Sequence, residues 1–211
     1  MTTVRQTYLD AAGTALALLG DPAVAARWDE PSALESFAVG GLAAHLAGQV
    51  LAVPAVLASP VPDEPPAALI DHYTRATWVG ADLDSPTNKG IRASGDKAAA
   101  DGPAALVERT TATLDGLRET LPEEPADRIV HLKGRWSLTL DDYLTTRLLE
   151  IAVHDDDLAV SLGVATPELP DAALEPVFAL LTTLSARKHG APAVLRALAR
   201  AERAPSDITA I

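Results

Sequence analysis

The stretch "RLLEIAVHDDDL", Arg147 to Leu158, puts a carboxylate and an imidazole four residues apart inside the most apolar helix-forming run of the chain. On a helix, that spacing stacks Glu150 and His154 on one face, with Cβ atoms about 5–6 Å apart. Arg147 and Asp157, three residues outside the pair on either side, lie on or beside the same face. Almost everything else in this helix is apolar, including Leu144, Leu148, Leu149, Ile151 and Val153. The polar stripe is therefore expected to point into the protein, where two desolvated ionisable groups need a partner. A second apolar run, "FAVGGLAAHLAGQVLAVPAVL", carries one ionisable residue near its middle, His45. If the two runs face each other, His45, Glu150 and His154 converge. Two neutral imidazoles and one carboxylate, with positions left for water, make an open catalytic metal site. The set suits zinc, and also nickel, manganese or iron(II). An exchangeable position lets the metal polarise a carbonyl or thiol, or activate water.

Two plainer readings stand beside this one. A Glu/His pair at this spacing is commonly a solvent-facing ion pair, and a single histidine in an apolar helix is commonly a hydrogen-bonded core residue. Arg147 has two roles open to it, a helix-face pair with Glu150 or the reception of an anionic substrate. Asp157 either orients a ligand imidazole or, with Asp155 and Asp156, belongs to solvated helix surface. His72, His131 and His189 have no partner at metal spacing and read as structural or exposed. Trp28, Trp78 and Trp136 read as packing residues.

The elements that must position these groups are helices. Apolar residues recur at helical spacing from Val4 to Leu19, with Gly20-Asp21-Pro22 as the stop. The run holding His45 is apolar almost all round, the mark of a buried helix, and Pro54 is expected to kink or end it. A weaker helix is expected from Ala67 to about Val79, with no firm assignment for the stretch from Ser94 to Gly102. Pro103 opens another helix to about Leu121, with Leu106, Val107, Thr110, Leu114 and Leu117 inward. "RIVHLKGRWSLT" reads as a short hairpin turning at Lys133-Gly134. Thr139 caps the next helix, which carries the Glu/His pair and stops at Gly163. Two shorter helices follow, in "TPELPDAALEPVFALLTTLSARK" and "APAVLRALARAE". The pattern is an all-α bundle with a small β excursion.

Composition agrees. The 211 residues are 48% apolar but only 4% aromatic, and Ala and Leu favour packed helices over sheets. A formal net charge of −12 argues against a nucleic-acid groove or an anionic membrane surface as partner. No cysteine is present, so any thiol chemistry must be supplied by a bound molecule. The N-terminal stretch lacks signal-peptide architecture, and no apolar run is read as reaching the length of a bilayer span. A cytoplasmic protein is expected.

"AVGGLAAHLAG", about 100 residues before "LTLDDYLTTRLLEIAVHDDDLAVSLG", resembles the mycothiol-dependent maleylpyruvate isomerase family, within the DinB-like helical bundles. The resemblance spans roughly residues 2 to 165, and "VHDDDLAVSLG" is its most specific piece. It implies a four-helix bundle over residues 1–163 whose divalent metal, typically zinc, is held by His45, Glu150 and His154. It also implies a low-molecular-weight thiol, mycothiol in actinobacteria, whose thiolate adds to a small electrophilic substrate. The outcome is isomerisation, or S-transfer where the thiol stays attached. Arg147 and Asp157 are the further site residues expected, and a homodimer through an apolar helix face is the expected assembly. The chain departs from the family pattern at Phe37 and Gly41, where Trp and an acidic residue are favoured. Residues 164–211 read as a helical extension packed on the same domain, in place of the separate C-terminal domain of the full-length isomerase. That domain's catalytic arginine has no assigned counterpart; Arg187, Arg196, Arg200 and Arg203 are merely available. Two other functions remain open, a non-catalytic metal-binding module and a metal-assisted hydrolase.

Overall fold

The computed structural model describes residues 3–77, 80–132 and 136–211. Trp78 and the expected hairpin turn at Lys133-Gly134 lie outside them. Four helices, α1 (Val4–Leu19), α3 (Val39–Leu51), α7 (Gly102–Thr120) and α8 (Leu140–Leu162), pack on one another as a bundle. The connection from α1 to α3 includes the single-turn α2 (Pro22–Ala26). The core is aliphatic, built from residues such as Leu42, Leu46, Leu114, Leu144 and Leu148, with Tyr8 fully buried among them. Val107 is only half-buried at its edge, and so is Trp28.

Pro54 acts as expected. The helix holding His45 stops at Leu51, and Pro54 sits in the first turn of a new one, α4 (Val53–Leu57). Proline has no N–H to donate back along the preceding turn, so the ladder breaks there. Together these segments correct one expectation. Val39–Leu57, 19 residues, is long and apolar enough by length and composition to cross a bilayer. Most of that stretch is buried inside the protein, which is why an all-round apolar sequence suits it: α3 touches α1, α7 and α8 and is covered by a further helix.

That covering helix, α6 (Pro86–Ala99), is the main element absent from the expectation. The weak helix before it, α5 (Leu69–Arg75), is shorter than expected. The approach of α6 to α3 is backbone to backbone. A Cβ on Gly95 would stand 2.8 Å from the Gly41 carbonyl oxygen, and one on Gly41 would stand 3.0 Å from Asp96 Oδ1. At Gly41, where the family pattern favours an acidic residue, the Asp96 carboxylate of α6 stands where a side chain would enter.

The hairpin is short. β1 (Ile129–His131) pairs antiparallel with β2 (Ser137–Thr139), in the register Val130 opposite Leu138. It leads straight into α8. Thr139 accepts a hydrogen bond from the Asp142 N–H as the N-cap, and Gly163, at φ 70°, ends the helix in the left-handed conformation that glycine adopts without steric cost. Beyond it, α9 (Asp171–His189) packs on α1, α5 and α8, and α10 (Ala191–Ala199) packs on α9.

Candidate metal centre

Helices α3 and α8 lie in contact, and the contact brings His45 to the Glu150/His154 pair. One ligand atom from each of the three lies within 4.8 Å of the others. Glu150 Oε2 is 3.3 Å from His154 Nε2 and 3.8 Å from His45 Nε2, and the two imidazoles meet edge to face at a centroid distance of 4.7 Å. All three side chains are largely withdrawn from solvent, at 14–25% exposure. The polar stripe of α8 therefore points inward, and the solvent-facing reading of the pair does not hold.

His154 is fixed from behind. Its Nδ1 lies 2.9 Å from Asp157 Oδ2, so with the proton on Nδ1 the Nε2 lone pair is directed towards Glu150 and His45. Burial would pull the His154 pKa down, but the Asp157 and Glu150 carboxylates outweigh it and push it up to about 9. Burial would likewise push Glu150 up. The two imidazoles and the Arg147 charge more than reverse this and hold its carboxyl well below the usual range. Both shifts describe one cluster with a carboxylate at its centre. Its donor set, nitrogen, nitrogen and oxygen converging in a sheltered site, matches the ligand chemistry of a divalent transition-metal ion.

Of the two roles considered for Arg147, the helix-face pair with Glu150 is not formed. No carboxylate lies within ion-pair distance among the described residues; instead Nη1 donates to Gln49 Oε1 at 2.5 Å and Nε to Thr146 Oγ1 at 3.1 Å. Its guanidinium carbon sits 5.3 Å from the centre of the Tyr143 ring. Asp155 also departs from expectation. It is 1% exposed, with neither carboxylate oxygen hydrogen-bonded among the described residues, and burial pushes its pKa up to about 7 against the opposing His154 charge. Only Asp156 of the aspartate triplet is surface, where it accepts from Thr166 Oγ1.

A cavity of about 460 Å³ opens beside the cluster, lined by His45, Glu150 and His154 themselves. Gln49 and Tyr143, which the sequence did not single out, also face it, and so does His72, read from the sequence as structural or exposed. Gln49 had a legible signal, since it follows His45 by one helical turn. His72 is buried, its ring 5.6 Å from that of Trp136. His131 and His189 lie elsewhere, bonded to Ser137 Oγ and the Thr209 carbonyl.

Among proteins of curated function, none matches the chain. Among solved structures, the crystal structure of a histidine-to-alanine variant of the mycothiol-dependent maleylpyruvate isomerase is similar at 20% identity and a TM-score of 0.47. The match covers 89% of this chain and 72% of that one. The family described as the mycothiol maleylpyruvate isomerase N-terminal domain matches residues 9–159, a span that includes α3, α8 and every member of the His/Glu cluster. The chain belongs to the mycothiol maleylpyruvate isomerase N-terminal domain family.

Proposed function

We propose that this protein is a metal-dependent enzyme that activates a low-molecular-weight thiol against a small electrophile, giving isomerisation or S-transfer. One observation carries the reading: three convergent ligand atoms stand at the wall of a cavity of about 460 Å³. That volume falls in the range typical of small-molecule sites. A non-catalytic metal-binding module needs no such space, so the cavity weighs for the enzyme.

His45, Glu150 and His154 hold the ion, with zinc as the leading candidate. A divalent ion bound there would supply Lewis acidity, which lowers the pKa of an approaching thiol into the neutral range. The chain's own residues do the rest. Asp157 holds the proton on His154 Nδ1 and so keeps Nε2 free as a ligand. Apolar walls, with Phe37, Leu149 and Val153 among them, keep water from the reacting sulfur. The chain contains no cysteine, so the sulfur comes with the bound thiol, in keeping with the family's mycothiol.

Elemental analysis of the untagged wild type and of His154→Ala tests the ligand set. About one equivalent of metal is expected in the wild type, and little in the variant. Equal content in both, or none in either after zinc is added, rejects it. Cobalt substitution then tests the thiol: added mycothiol should produce a sulfur-to-cobalt charge-transfer band. A cobalt spectrum indifferent to thiol would favour metal-assisted hydrolysis instead.

A further inference from the structure

We infer that the cavity is built for an electrophile with one carboxylate and an apolar body, and that Arg147 receives the carboxylate. This rests on the metal-and-thiol reading above and names the substrate class of that site.

Arg147 is the one permanently charged cation among the described residues lining the cavity. It is half-buried, and a guanidinium taken from water without a counter-charge is costly unless something repays the lost hydration. The carboxylate whose charge it senses, Glu150, is already engaged by two imidazoles. Nη2 has no acceptor among the described residues, while Nη1 and Nε are held by Gln49 and Thr146.

The holding is itself built. Gln49 is 4% exposed; its Nε2 donates to the His45 carbonyl at 2.9 Å while its Oε1 accepts from Arg147. The backbone carbonyl of Gln49 accepts from the Tyr8 hydroxyl at 3.0 Å. The Tyr143 ring supports the guanidinium from a third side. A planar cation so oriented, beside a cavity and short of one anion, is suited to a carboxylate.

The rest of the wall sets the remainder of the molecule. Leu34, Phe37, Val56, Ile91, Val153 and Ile211 line it. A second carboxylate would meet apolar surface or the metal centre, where Glu150 and the bound thiolate already offset the ion's two charges. The chain's formal charge of −12 adds a general field against multiply charged anions. A diacid such as maleylpyruvate is therefore a poorer fit than a monoacid of similar length.

The test is calorimetric titration of the zinc- and mycothiol-saturated protein with octanoate, octanamide and suberate, with zinc content measured on each sample. Octanoate should bind at least about tenfold more tightly than either the neutral amide or the diacid. Arg147→Gln should weaken octanoate by roughly 10- to 100-fold and leave octanamide unchanged, while Arg147→Lys should recover part of the loss. Unchanged zinc content in both variants shows that the site still folds. Octanoate binding indifferent to Arg147→Gln, or suberate binding as tightly as octanoate, overturns the inference while the metal reading stands. A protein that holds no zinc yet binds octanoate through Arg147 overturns the metal reading and leaves this inference standing.

Discussion

Around His154 two carboxylates, Glu150 and Asp157, share one imidazole, and their balance is readable in pH. The fold raises the His154 pKa to about 9. In the metal-free protein its charged form therefore contributes stability that is fully present below the ordinary imidazole value and is lost as pH rises through about 9. Glu150, held low, contributes above the ordinary carboxylate range and loses that contribution as pH falls through its depressed value. A metal ion must displace the His154 proton, so apparent zinc affinity should rise about tenfold per pH unit between about pH 6.5 and 8.5. Chelator competition across that window would show it, and a flat profile would mean that no proton leaves. Asp155 runs the other way. Its ionised form is the penalised one, so the folded state loses stability as pH climbs from the ordinary Asp range through about 7. Asp155→Asn should then raise stability by about 1–2 kcal/mol at pH 8 and flatten that slope, as read by thermal melts. The sequence made the Glu/His stripe legible because its neighbours in the heptad are apolar. It hid Asp155, because a run of three aspartates reads as surface until the rotation of α8 against its partners is known.

Among the elements, α1, α3, α7 and α8 carry apolar residues at helical period and strong stop signals, and their bounds were readable to within a few residues. Helix α6 offered no such period. It holds Gly90 and Gly95 and mostly polar residues, and its one plain signal was Ser85 followed by Pro86, a cap and a first-turn proline. Its glycine is what lets it lie on α3. Gly95→Ala would drive a methyl against the Gly41 carbonyl, which is backbone and cannot rotate away. A loss of about 1–3 kcal/mol is expected in denaturant unfolding, with weakened zinc binding because His45 rides on the displaced helix. Unchanged stability would mean that the two helices separate without cost. The convergence of His45 on α8 was likewise conditional in the sequence, since no local pattern states which faces of two distant helices meet.

At the scale of the whole molecule, the segment after Gly163 is continuous with the bundle in packing. Ala173, Val177, Leu180 and Leu184 of α9 are buried, and their partners are α1, α5 and α8. A chain cut after Gly163 should lose several degrees in Tm and unfold less cooperatively; a truncated form with the parent's Tm would instead mark residues 1–163 as self-sufficient. From α10 the chain returns along α9, where Ser185 Oγ donates to the Ile208 carbonyl, and reaches the cavity wall at Ile211. That return path has a practical side. A polyhistidine purification tag fused directly behind Ile211 would start at the wall of the cavity that His45, Glu150 and His154 also line, and would compete for the ion meant for them. The start of α1 is safer ground for a fusion: Arg5 is bonded to Asp141, nine residues before Glu150 along α8 and so about 14 Å away.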